Sequence, residues 1–135
     1  MLDPLKVSQN SLLELISYVN NHSDCDELEI PEIWLVIIVV LVCFAATVEF
    51  TEELYPLLTE DGRILEMSSL LGKLEHQPVP AREILSDPTL TKEALFKLAH
   101  DYINNSDDAS KDLVFSPFVY FTSKALLTAY VRFTA

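Results

Sequence analysis

Few side chains in this sequence have the type and spacing that chemistry at a protein site requires. The closest group is His22, Asp24, Cys25 and Asp26, which places an imidazole, a thiol and two carboxylates within one short stretch. Zinc sites usually take their ligands as two pairs, each separated by about two to four residues. The other two histidines and Cys43 lie too far along the chain to supply a second pair. We therefore expect a solvated acidic loop here, with no metal and no cofactor.

Catalytic constellations are equally hard to find. The histidines His22, His76 and His100 are widely separated, and no nucleophile has a base at a recognisable distance. The only glycines, Gly62 and Gly72, cannot form a glycine-rich loop that cradles phosphates. We predict that the chain is not an enzyme and has no small-molecule substrate. A triad that assembles only in the folded chain would escape this reasoning, so an enzyme is kept as the third alternative.

The charge balance limits the partners. The sequence has 21 Asp and Glu residues against 9 Lys and Arg residues, which gives a net charge of −12. Binding to nucleic acid requires clustered cations that release counterions from the phosphates, and a polybasic segment is also needed to attract anionic lipid headgroups. The sequence has neither kind of cluster, so we expect no nucleic-acid partner.

One long apolar run determines the predicted class of protein. Residues 33–48 begin with Ile33 and Trp34, end at Val48 and include no charged residue. As a helix this run is about 24 Å long, and its extension to 30–50 is about 31 Å long. The hydrocarbon core of a bilayer is about 30 Å thick, so the longer segment matches it.

We therefore predict a single-pass transmembrane helix over residues 30–55. Trp34 and Tyr55 would lie at the two interfaces, where aromatic residues are enriched, and Pro56 would end the helix. Acidic residues flank the run on both sides, so loop charge gives little information on orientation. Eight of the nine basic residues follow the run, which weakly favours a cytoplasmic C-terminal part. The mitochondrial inner membrane is our first expectation for the organelle.

The alternative is a soluble all-α interaction module in which the same run is a buried central helix. Many residues of the run are β-branched, which favours a strand. Strands usually have about three to ten residues, however, and nothing inside 33–48 could turn the chain. A soluble fold would need the remaining helices to surround this one.

Apolar residues recur at helical spacing on both sides of the run and predict an all-α fold with short amphipathic helices and extended linkers. We divide the chain into an N-terminal extramembrane segment, the span, and a C-terminal extramembrane helical region, at 1–29, 30–55 and 56–135. Asp87 and Pro88 have the residue types of an N-cap and a first helical position. Two prolines near residue 79 predict an extended linker followed by at most one helical turn. The predicted helices outside the span cover residues 11–20, 63–74, 88–104 and 117–133.

The terminal helix, 117–133, is apolar except for a stripe of Lys124, Thr128 and Arg132. Such a helix suits a membrane interface, a groove on a partner protein, or the core of a small helical bundle. The residues that we expect at an interface are Phe118, Phe121, Lys124, Tyr130 and Arg132.

These features together predict a non-catalytic, single-pass accessory (supernumerary) subunit of a larger membrane assembly, such as a bioenergetic complex. The expected partners are larger membrane subunits and lipid. The span would pack on a larger subunit, and the amphipathic helices would fill grooves outside the bilayer.

Overall fold

The computed structural model describes residues 32–106 and 114–134, which belong to one compact unit, Glu32–Ala135. Across these two ranges the chain has four helices and no strand, which confirms the predicted all-α class. The predicted helix at 11–20 and the cluster at residues 22–26 lie outside the described residues.

Helix α1 covers Glu32–Leu57 and contains the whole apolar run. Its middle, Leu41–Ala45, is wound as a π-helix, and its last turn, Tyr55–Leu57, is a 3-10 turn with Pro56 near its start. The hydroxyl of Thr47 donates to the carbonyl of Val42, five residues earlier, at 3.2 Å. The prediction of one continuous helix that ends near Pro56 is confirmed.

Three further helices follow: α2 (Val79–Ser86), α3 (Lys92–Asn105) and α4 (Val119–Thr134). The start of α3 differs from the prediction. The carboxylate of Asp87 accepts hydrogen bonds from the backbone N–H and the hydroxyl of Thr89, at 2.8 and 2.7 Å, and forms a turn instead of a cap. Thr91 is the N-cap, because its side chain accepts from the N–H of Ala94. Helix α2 is also longer than the single turn predicted.

The predicted helix at 63–74 is wrong. Residues 63–69 are non-helical, and 3-10 turns at Leu70–Gly72 and Leu74–His76 follow them. We call residues 63–69 the strap. Exposure alternates along it: Leu65 and Met67 point outward, whereas Glu66 and Ser68 are partly buried. This period of two is that of an extended chain. Glu66 accepts a hydrogen bond from Thr51 on α1, and the hydroxyls of Ser68 and Thr128 on α4 share one; both bonds favour the extended form over a helix.

The core lies between α1, α3 and α4. Helix α1 contributes one stripe of buried residues, Val40, Phe44 and Val48. The ring of Phe44 lies 5.2 Å from that of Phe96 on α3. Helix α3 therefore packs along the same side of α1 that carries the buried stripe.

Helix α4 is the most enclosed element of the described chain. Of the three uses that its sequence allows, the structure shows the core helix of a small bundle. Its polar stripe of Lys124 and Thr128 lies beneath the strap. The buried residues of α4 are Thr122, Ser123, Ala125, Leu126, Leu127, Ala129 and Tyr130.

Candidate interaction surface

The side of α1 that faces away from the core is apolar and exposed. Leu35, Val42 and Phe50 have relative exposures of 52%, 62% and 66%. They project opposite to the buried stripe, and we call them the outer face of α1. A surface of this kind is a candidate interaction site, because soluble monomers rarely expose contiguous apolar patches of more than a few hundred Å².

Carboxylates mark both ends of the outer face. Glu32 opens the helix, Glu49 and Glu53 lie near its other end, and all three are exposed. The stretch between Glu32 and Glu49 is about 25 Å long. A partner that covers it therefore needs an apolar centre with cations at two ends, or an apolar layer of similar thickness.

By length and composition α1 could cross a membrane, and it is the one helix among the described residues that could. Its packing adds a constraint. The contact of Phe44 with Phe96 and the ion pair of Glu52 with Lys92, at 3.2 Å, fix α3 as antiparallel to α1. Residues that follow Phe96 therefore lie beside the N-terminal half of α1.

The outward side of α3 at this level is charged. Lys97 and Asp101 form an exposed ion pair of 2.6 Å. A bilayer that enclosed α1 in its packed position would also enclose this pair. Charged groups in the hydrocarbon core are costly, by at least about 2.5 kcal/mol each. The packed fold and a membrane-spanning α1 thus exclude each other unless α1 leaves α3 or another subunit covers these charges.

A cluster of polar side chains holds the C-terminal part of α1 in place. Glu52 accepts a hydrogen bond of 2.6 Å from the hydroxyl of Tyr130 and one of 3.2 Å from Lys92. Thr51 donates to the carboxylate of Glu66 on the strap. This polar joint, formed by Thr51, Glu52, Glu66, Lys92 and Tyr130, links α1 to α3, α4 and the strap at one point.

The polar joint also shifts the pKa values of Glu52 and Tyr130. The hydrogen bond from Tyr130 and then the contact with Lys92 lower the pKa of Glu52 below its ordinary value. Burial, followed by the hydrogen bond to Glu52, raises the pKa of Tyr130 well above its usual range. At neutral pH the pair is therefore a carboxylate and a neutral phenol, which suits a structural hydrogen bond.

The strap lies closely on α4. The hydroxyl of Ser68 lies 2.7 Å from that of Thr128 and donates to the carbonyl of Lys124 at 3.2 Å. Gly72 is buried against the same turn of α4, where an added Cβ would lie 2.8 Å from the carbonyl carbon of Lys124. Only glycine allows the chain to approach the helix this closely.

A second polar junction joins the entry to α2 with the entry to α4. The side-chain oxygen of buried Gln77 accepts from the N–H of Ser116 at 3.0 Å, and the carbonyl of Ser116 accepts from Tyr102 and Thr122, each at 3.0 Å. Burial raises the pKa of Tyr102. No pattern in the sequence indicates this junction, because its members are spread over some forty-five positions.

The five predicted interface residues have different surroundings. Phe118 is 65% exposed and packs on Phe121, which also contacts the ring of His76. Lys124 donates to the carbonyl of Met67. Tyr130 is fully buried in the polar joint, and Arg132 donates to the carbonyl of Leu85. Of these five, Phe118 and Arg132 are exposed, and the role of all five at an interface stays a prediction.

The span residues Ile33 and Trp34 are half-buried, and Val48 is fully buried against the core. Among the described residues no group of three or more His, Cys, Asp or Glu side chains could hold a metal ion. The exposed apolar side chains of the described residues can bind a partner by surface contact. A comparison of the chain with family models, with curated proteins and with solved structures found no match.

Proposed function

We propose that this chain is a non-catalytic interaction subunit, which joins a larger protein assembly through the outer face of α1. The observation that carries the proposal is the difference in burial between the two apolar sides of α1. One side packs into the chain's own core, and the opposite side is equally apolar but exposed. A helix whose apolar surface is only half used by its own chain has the remaining half available for a partner.

The proposed partner is a protein surface with an apolar groove and cationic residues at its two ends. This choice follows from Glu32, Glu49 and Glu53, which flank the outer face, and from the net charge of −12. A helix that places an apolar face in a groove is a common mode of recognition. The charged pair of Lys97 and Asp101 beside α1 favours a position outside the hydrocarbon core.

Photo-crosslinking tests this proposal on the full chain in cells. A photoreactive phenylalanine analogue at position 50 should form a covalent adduct of defined mass with a protein, and one at position 44 should react only within the chain. The Glu49→Lys, Glu53→Lys double variant should reduce the yield at position 50 at least tenfold. Adducts with lipid alone, or a yield that the charge reversal leaves unchanged, would contradict the proposal.

A second candidate is a single-pass accessory subunit of a membrane assembly. The length of α1, 26 residues that include the apolar run 33–48, favours it. In that case α1 would leave α3, or neighbouring subunits would cover the charges of α3. Alkaline carbonate extraction separates the two candidates: release into the supernatant is expected for the first, and retention in the membrane pellet for the second.

A further inference from the structure

The strap has a second exposed apolar surface, separate from the outer face of α1. Leu65 and Met67 are 93% and 86% exposed, which is exceptional for large apolar side chains in a folded chain. Their neighbours Glu66 and Ser68 point the other way and anchor the strap to α1 and α4. The strap is thus an extended segment held rigidly from beneath, with its apolar side chains directed outward.

The backbone N–H and C=O groups of the strap are also largely without hydrogen-bond partners in the described chain. In the described part of the chain, the N–H and C=O groups of residues 63–68 make no hydrogen bond to another backbone group. One side-chain contact reaches them, from the ammonium group of Lys124 to the carbonyl of Met67 at 3.2 Å. An extended segment of seven residues, about 23 Å long, with unpaired backbone groups is a template for a further strand.

The charges near the two ends of the strap differ in sign. Glu60 and Asp61 precede it in an exposed turn, and Lys73 follows it, with Lys124 beside its C-terminal half. Arg63 and Glu75 partly offset these charges, and Lys73 lies 3.6 Å from Glu75. In an antiparallel pair of straps centred on Glu66, the acidic turn of one copy would face Lys73 of the other.

We propose that two copies of this chain associate through their straps, which pair edge to edge in antiparallel orientation about a two-fold axis. Leu65 of one copy lies opposite Met67 of its partner, and each Glu66 remains directed toward its own core. Such an interface is self-complementary, as a two-fold dimer requires. The net charge of −12 on each copy opposes association. Small interfaces, below about 1,200 Å², form weak complexes, so we expect a dissociation constant in the micromolar range.

Sedimentation velocity on the full chain over a range of concentrations gives the first test. We expect a monomer–dimer equilibrium that the Leu65→Thr, Met67→Thr double variant weakens at least tenfold. Threonine retains the preference for extended backbone and removes apolar surface. The matched control is Phe50→Thr on the outer face of α1, which should leave the equilibrium unchanged. A chain that stays monomeric at all concentrations would overturn the proposal, as would a dimer that Phe50→Thr abolishes.

Charge reversal tests the orientation. Lys73→Glu and Asp61→Lys should each weaken self-association several-fold, because like charges then meet at both ends of the pair. A mixture of the two variants should form a heterodimer, because acid then faces base at both ends. Hydrogen exchange tests the backbone pairing: the amides within residues 63–68 should be protected at high concentration and exchange freely at low concentration. Failure of the mixture to associate would exclude the antiparallel arrangement. Unprotected amides in a chain that dimerises would exclude strand pairing. Neither result bears on crosslinking at position 50, so this proposal and the function proposed for α1 fail separately.

Discussion

The hydroxyl of Tyr130, near the end of α4, donates a 2.6 Å hydrogen bond to the carboxylate of Glu52 on α1. The two residues are 78 positions apart in the sequence, so this bond fixes how the first and last helices of the described chain align. It lies at the centre of the polar joint, whereas the rest of the α1 contact is apolar. Helices that pack through apolar stripes can slide or rotate with little loss of free energy. A directional hydrogen bond between them breaks when they move.

Removal of this bond should therefore destabilise the fold. Tyr130→Phe keeps the ring but leaves Glu52 with Lys92 as its main partner, so we expect a loss of about 1–2 kcal/mol in the free energy of unfolding. Urea denaturation measures it. Tyr55→Phe is the matched control, since Tyr55 is exposed and should change the stability by less than about 0.5 kcal/mol. Equal effects of the two substitutions would show that the polar joint does not form.

The stability should also depend on pH through Glu52. Its folded-state pKa is lowered, first by Tyr130 and then by Lys92. The carboxylate therefore stabilises the fold at pH values above its ordinary pKa, near 4.5, and this contribution is lost as the pH falls through the lowered pKa. The urea midpoint of the wild type should fall more steeply in acid than that of Glu52→Gln. Parallel curves for the two proteins would be inconsistent with this role.

Tyr130 predicts a matching effect at high pH. Its pKa is raised by burial and by Glu52, so the folded chain resists its ionisation. The stabilisation is fully present below about pH 10, the ordinary pKa of tyrosine, and decreases as the pH rises above that value. Tyr130→Phe should remove this part of the alkaline loss, and ultraviolet difference spectra should show one fewer tyrosine that ionises only on unfolding in the variant than in the wild type.

The two sides of α1 should respond differently to truncation. Phe44→Ala leaves a cavity against Phe96 and should cost about 3–5 kcal/mol. Phe50→Ala removes the same atoms from the exposed side and should cost less than about 0.5 kcal/mol in the isolated chain. Thermal unfolding monitored by circular dichroism compares them. A small effect of Phe44→Ala would mean that α1 does not pack on α3.

Gly72 tests how closely the chain just after the strap packs on α4. In Gly72→Ala the new Cβ would meet the backbone of Lys124 at 2.8 Å, so either the strap or the helix must move. Overpacking of this kind typically costs about 1–3 kcal/mol. Gly62→Ala, where the nearest atoms lie at 3.0 Å and include the flexible end of Leu58, should cost less. The reverse order would argue against close contact at Gly72.

The sequence was sufficient for α1, because a run of sixteen residues without charges or turn signals is too long for a strand. It was nearly sufficient for α4, which was predicted at 117–133 and begins two residues later, at Val119. It was not sufficient for the strap. Ile64, Leu65, Met67, Leu70, Leu71 and Leu74 fit a helical stripe, and the partners that make the extended form better, Thr51 on α1 and Thr128 on α4, are far away in sequence.

The same limit applies to the surface of α1. Hydropathy identifies a helix that avoids water on every side, but it does not say which side its own chain covers. Val40 and Val42 are chemically identical, yet one is buried and the other is exposed. The inner side is set by the positions of α3 and α4, and nothing in the linear pattern connects Phe96 or Tyr130 on those helices with α1.

The π-wound turn at Leu41–Ala45 has a consequence for tolerance to changes in length. A π-helix holds more residues per turn than an α-helix, so this turn accommodates one residue beyond a regular helix while the flanking segments keep their faces aligned. Loss of a single residue within it would restore regular winding and leave Glu52 opposite Tyr130. The same loss elsewhere in the helix would turn one end about 100° relative to the other. Between Val40 and Glu52, this turn is therefore the place where the helix tolerates the loss of one residue with its packed faces still aligned.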